Sequence, residues 1–192
     1  ALDGGAGKSA RLMIDGLKIN ATETADDNGI ARFKINASPE LWSPENPKRY
    51  AVRIETDDDV FEEMIGFREI RVEGTEILLN GKPVWLKGAC QHEDDPVKGR
   101  TLSEDDIRAN LKLIKELNGN FIRLAHYPHN ELTARLADEM GIMIWAEIPV
   151  YWKIAFDRTD TFADAENQLK ELVLRDRNRA SIIIWSDRKS VV

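Results

Sequence analysis

From Glu76 to Trp185 short apolar runs alternate with stretches of helical periodicity, and this alternation restricts the fold more than any other feature of the chain. The run 77–84 reads as a hairpin turning at Asn80-Gly81, and 85–90 as a strand. Ser103 reads as an N-cap, with Asp106 three residues on and an apolar stripe at Ile107, Leu111, Ile114 and Leu117. Asn118-Gly119 ends that helix, and 121–124 is a second strand. Asn130 caps a helix through Leu132, Leu136 and Met140 that Gly141 stops. A third strand spans 142–148. A third helix spans 161–176 with Phe162, Leu169, Leu172 and Val173 inward, and a fourth strand spans 181–185. An order of β-α-β-α-β-α-β implies a parallel sheet covered by helices. Four such units are half of an eight-stranded (β/α) barrel, a TIM barrel; a small doubly wound sheet is the alternative, although no strand here is followed by a glycine-rich phosphate loop.

The first 74 residues have a different period. Runs at 10–14, 31–35, 50–54 and 61–72 alternate apolar and polar, separated by Asp/Asn/Gly/Pro turn clusters. They predict an antiparallel β-sandwich of about five strands, a partial immunoglobulin-like fold, since the full type has about seven. The expected division is a sandwich over 1–74 and a half-barrel over 75–192.

Composition removes several function classes. The net charge of -7 and the lack of a basic stripe argue against nucleic acid. No apolar run approaches the roughly 18 residues of a membrane span. One cysteine, Cys90, allows no intrachain disulfide. Gly4 to Ser9 resembles a phosphate loop in composition but fails its spacing. No cofactor is expected. The N-terminus, ALDGGAGKSARL, carries no signal-peptide pattern and reads as a cut edge.

In a barrel, chemistry sits at the C-terminal ends of the strands. There the chain places Gln91-His92-Glu93-Asp94-Asp95, then His126-Tyr127-Pro128-His129, then Glu147, Tyr151 and Trp152. All three histidines fall in these loops. Carboxylates, imidazoles and aromatic rings suit a carbohydrate, whose hydroxyls they bond and whose apolar face they stack against. Arg123, on an otherwise apolar strand, needs a carboxylate partner, which Glu93 or Glu147 would supply. The His126-x-x-His129 spacing, broken by Pro128, is not that of a common zinc site, and no metal is expected.

Asn120-Phe-Ile-Arg123-Leu-Ala-His126-Tyr-Pro128 followed by Asp138-Glu-Met-Gly141 resembles the first signature of glycoside hydrolase family 2, with Leu124 where that family usually has a small residue. Leu41-Trp42-Ser43-Pro44-Glu45-Asn46-Pro47 and Gly66-Phe67-Arg68-Glu69-Ile70 resemble its sandwich domain. Leu79-Asn80-Gly81-Lys82-Pro83 and the segment from Lys87-Gly88 to His92-Glu93 resemble the start of its barrel. Asp176 to Ser186 resembles the second signature. The resemblance implies hydrolysis of O-glycosyl bonds of the β-galactoside or β-glucuronide class, with His92, Glu93, Arg123, His126, Glu147 and Trp152 as candidate substrate-binding residues.

It also implies a loss. The family's second signature continues into Asn-Glu, whose Glu is the general acid/base; here Lys189 and Ser190 stand at those positions. The nucleophile, a second Glu, belongs to a later strand that this chain does not reach. Retaining hydrolysis needs two carboxyl groups about 5–5.5 Å apart. The expectation is a truncated fragment without the family's reaction. The alternatives are a non-catalytic sugar-binding or assembly module, and a hydrolase with improvised carboxylates from Glu93, Asp94 and Glu147. The open edges of a half-barrel, with Ile122, Leu124, Ile144, Ile183 and Trp185 read as inward-facing, predict a homo-oligomer closing one half on another.

Overall fold

The computed structural model describes residues 5–151, 154–155, 157 to 158 and 159–186. They fall into two compact units, 5–41 with 48–67, and 42–47 with the described residues from 68 to 186. Trp42 is fully buried in the second unit, where its indole N–H donates to the Asp138 carbonyl at 2.8 Å. The Asn80 side chain in turn donates to the Trp42 carbonyl at 2.9 Å.

The first unit holds one antiparallel sheet in the order β2-β1-β3-β4, built from β1 (Ser9–Ile14), β2 (Ile19–Thr24), β3 (Tyr50–Glu55) and β4 (Val60–Ile65). Ile14, Tyr50 and Val52 form its buried centre, with Leu12, Ile54, Ile65 and Phe67 packed against them. Two expectations fail here. The run 31–35 keeps an alternation of half-buried and exposed side chains through Lys34 but forms no strand, because alternation marks extended backbone whereas a strand also needs a hydrogen-bonded neighbour. Ile19–Thr24, not anticipated, is the strand that pairs with β1.

The run 61–72 also divides. β4 ends at Ile65 and β5 (Ile70–Glu73) belongs to the second unit. Between them the Arg68 guanidinium donates to the carbonyls of Ala180 and Ile182, at 2.9 and 2.5 Å. Burial holds Arg68 below the ordinary arginine value, and those carbonyls replace the water it has lost.

In the second unit β5, β6 (Glu76–Leu79) and β7 (Lys82–Pro83) form a small antiparallel sheet. Asn80 and Gly81 both have positive φ, 52° and 77°, the conformation of a two-residue primed hairpin turn. Then follow β8 (Gly88–Gln91), α1 (Glu104–Glu116), β9 (Phe121–Leu124), α2 (Glu131–Met140), β10 (Met143–Glu147), α3 (Thr159–Asp176) and β11 (Ile182–Ser186). The four strands are parallel in the order β11-β10-β9-β8. Ser103 and Asp106 close a reciprocal capping box on α1. Asn130 caps α2 through Leu132 N–H, and Gly141 ends it in the left-handed conformation.

One face of the sheet, with Ile122, Leu124, Ile144, Ala146 and Ile182, packs on Ile107, Leu111 and Ile114 of α1, Leu136 and Ala137 of α2, and Leu172 of α3. This corrects the assignment of Ile122, Leu124 and Ile144 to an inward barrel face: at 0–4% exposure they form the helix-side core. A register irregularity between Ile144 and Trp145 shifts the β11 pairing, so Ile183 joins the Trp42, Leu79 and Met143 cluster while Trp185 packs at the helix-side core. Two further apolar residues depart from expectation. Trp85 precedes β8 and is 80% exposed, and Phe162 of α3 is 64% exposed. Leu172, further along α3 and also expected inward, is buried.

Candidate functional site

Strand alternation puts Arg123 and Trp145, which are direct partners across β9 and β10, on the face opposite the helix-side core. Glu147 is the last residue of β10 and is 1% exposed. An anion buried to that degree needs compensation, and two side chains provide it. Arg123 Nε–H donates to Glu147 Oε1, and this bond holds the guanidinium above its ordinary value. His126 Nδ1 lies 3.3 Å from Glu147 Oε2. With the Glu147 carboxylate as acceptor, the His126 Nδ1–H donates this contact. Of the two partners considered for Arg123, Glu147 is the one in place. The guanidinium carbon also sits 4.7 Å from the centre of the Trp145 ring, a cation–π distance.

Rings extend outward from this pair. His92, just past β8, meets His126 edge-on with centroids 5.2 Å apart. Tyr151, past β10, lies 5.5 Å from His126 on another side. Tyr127 is 6.1 Å from His92 and stacks at 5.0 Å on His129. His92, Arg123, His126 and Glu147 are thus brought together at the C-terminal ends of β8, β9 and β10. Trp152 lies outside the described residues, as do Lys189 and Ser190.

Glu93 is oriented differently. Its Oε1 accepts the Asn130 backbone N–H at 2.8 Å, next to the start of α2, where a carboxylate is favoured by the helix dipole. Its own N–H donates to the Tyr127 hydroxyl at 3.1 Å. His129 is buried at 3% exposure and donates through Nε2 to the Ala125 carbonyl at 3.0 Å. Burial holds it below the ordinary imidazole value. Among the described residues no cluster of His, Cys, Asp or Glu is arranged to hold a metal. Like Tyr151, Tyr127 was noted in these loops but not counted among the candidate binding residues. Its signal was its place between two histidines in the β9–α2 loop.

Two family models cover the chain. Residues 5–68 match Glycosyl hydrolases family 2, and residues 70–188 match its TIM barrel domain. The chain belongs to glycoside hydrolase family 2. Within this family it is 36% identical over 165 residues to a β-glucuronidase of Streptococcus agalactiae, covering 76% of this chain and 28% of that protein. The structure of Bifidobacterium dentium β-glucuronidase complexed with coumarin-3-O-glucuronide matches with a TM-score of 0.89 at 27% identity, over 97% of this chain and 32% of that one. A family 2 β-galacturonidase from Eisenbergiella tayi bound to galacturonate matches with a TM-score of 0.77 at 31% identity, over 94% and 35%. The chain is β-glucuronidase-like, and it spans between 28% and 35% of the length of these relatives.

Proposed function

We propose that this chain forms one wall of the sugar pocket of a β-glucuronidase-like hydrolase, and that the 192-residue protein binds an acidic β-glycoside without cleaving it. In this reading residues 1–74 belong to a partial immunoglobulin-like sandwich and 75–192 to half of a (β/α)8 barrel. The observation that carries the proposal is the Glu147 carboxylate, buried at a strand end between Arg123 and His126, with His92 and Tyr151 packed on the His126 ring. His126 Nε2 and the nearby rings suit hydroxyl bonding and stacking on a pyranose. The family's uronide-directed members supply the substrate class, since the two solved structures hold a glucuronide and a galacturonate.

The chemistry of cleavage is what the chain lacks in this reading. A serine hydroxyl at position 190 does not replace a carboxylic acid as proton donor. Improvised carboxylates fare no better. Glu93 is engaged at the start of α2, and Glu147 accepts from both Arg123 and His126. Protein incubated with nitrophenyl β-glucuronide and β-galactoside is expected to match the buffer blank. Calorimetry or amide NMR is expected to register glucuronate near His126 and Tyr151. Turnover that disappears in Glu147→Gln or Glu93→Gln would overturn the non-catalytic reading, and silent NMR would overturn binding.

A second reading concerns assembly. Among the described residues β8 and β11 each have one neighbouring strand, and unpaired edges invite pairing with another chain. Two-fold association, β11 beside the partner's β8, satisfies both edges at once. The helix-side burial of Ile122, Leu124 and Ile144 reduces the apolar area such a dimer covers. Sedimentation velocity at micromolar concentration is expected to give a dimer or larger species. A compact, cooperatively folding monomer sinks this reading.

A further inference from the structure

We infer that Arg100 is an anion-binding residue at the outer rim of this pocket, taking a carboxylate on the part of the ligand farthest from Glu147. The inference rests on the proposed sugar-binding function and adds a second charge to the ligand class. Arg100 lies in the loop between β8 and α1, is exposed, and has its guanidinium carbon 4.3 Å from the centre of the Tyr127 ring. It forms no ion pair among the described residues. A guanidinium laid on an aromatic ring keeps its in-plane N–H donors pointing past the ring edge, available for a bidentate carboxylate.

The platform is fixed independently of Arg100. The Tyr127 hydroxyl accepts from Glu93 N–H, its ring stacks on buried His129, and His129 is tied to the Ala125 carbonyl. A rigid support matters because an exposed arginine otherwise loses much of a carboxylate contact to side-chain entropy. The row of rings gives the direction. Glu147 contacts His126, His126 meets His92, His92 meets Tyr127, and Tyr127 carries Arg100. A ligand that extends from a sugar at His126 along this row reaches the cation at its outer end.

Three probes test the assignment by calorimetry at low salt: phenyl β-glucuronide, 4-carboxyphenyl β-glucuronide, and β-linked diglucuronic acid. The first carries one carboxylate. The others add one, on the aglycone or on a second sugar. At least one of the doubly charged probes is expected to bind about tenfold more tightly than phenyl β-glucuronide, and Arg100→Gln is expected to erase that gain while leaving phenyl β-glucuronide unchanged. The arm that gains identifies the source of the carboxylate. Equal binding by all three probes, or a gain that survives Arg100→Gln, overturns the role of Arg100 alone. Failure of all three to bind overturns the sugar-binding function and this inference with it.

Discussion

Arg123→Ala is expected to destabilise the second unit by about 3–5 kcal/mol, because it leaves Glu147 buried without its main counter-charge. The Arg123 side chain is 12% exposed and that of Glu147 only 1%, so solvent does little to replace the lost partner. His126 remains within reach of Glu147, but at 3.3 Å through one contact it offsets only part of the loss. A thermal melt reads the effect as a midpoint lowered by roughly 10 °C or more. A double substitution, Arg123→Met with Glu147→Leu, is expected to recover much of the stability, since removing both charges removes the penalty as well as the bond. An Arg123→Ala midpoint equal to wild type would mean that the pair is exposed to water in solution. The double variant separates a destabilising charge from a site role. Recovered stability with lost glucuronate binding assigns the pair to both.

The second large effect belongs to Gly88, at the start of β8. A Cβ placed there would lie 1.6 Å from the Phe121 carbonyl oxygen. That atom is backbone, in the neighbouring strand, and Gly88 and Phe121 are direct register partners. Relief requires β8 to move away from β9, so Gly88→Ala is expected to cost more than about 4 kcal/mol. Gly81→Ala is the control. It has positive φ but nothing near its missing Cβ, and it should cost only about 1 kcal/mol. Urea denaturation ranks the two. A Gly88→Ala variant within about 1 kcal/mol of wild type would show that β8 pairs with β9 less closely than described.

How much of this was legible in the sequence depends on whether the determinant is local. Ser103 with Asp106, Asn130, Asn80-Gly81 and Gly141 act on their own few residues, and each cap or turn stands where it was expected. The strands β9 and β10 were legible for the same reason, as short apolar runs between such signals. Ala31 to Ile35 has the right pattern, but strandhood there depends on a neighbour no pattern encodes. The facing of Ile122 and Ile144 was misread because a strand covered on both sides has apolar residues on both, and the polar residue between them, Arg123, marks the other face. At the site, the C-terminal strand ends collected the polar residues. The selection of Glu147 over Glu93 as the Arg123 partner is a matter of distance in three dimensions. The anchoring of Glu93 at Asn130 spans 37 positions in sequence and had no local sign.

Asp138 carries a consequence for how such chains change over time. It is fully buried, its Oδ1 accepts the Ser181 N–H at 2.7 Å, its Oδ2 lies 3.6 Å from Arg179, and its carbonyl receives the Trp42 indole. These contacts join three of the segments that resemble the family's motifs. Much of what makes the lineage recognisable is thus a set of structural rivets. Losing one leaves a buried polar group unpaired. A descendant can shed every group that cleaves a glycoside and still carry the family's name in its letters. Kinship with the family is thus carried by residues that hold the fold, apart from those that meet a substrate.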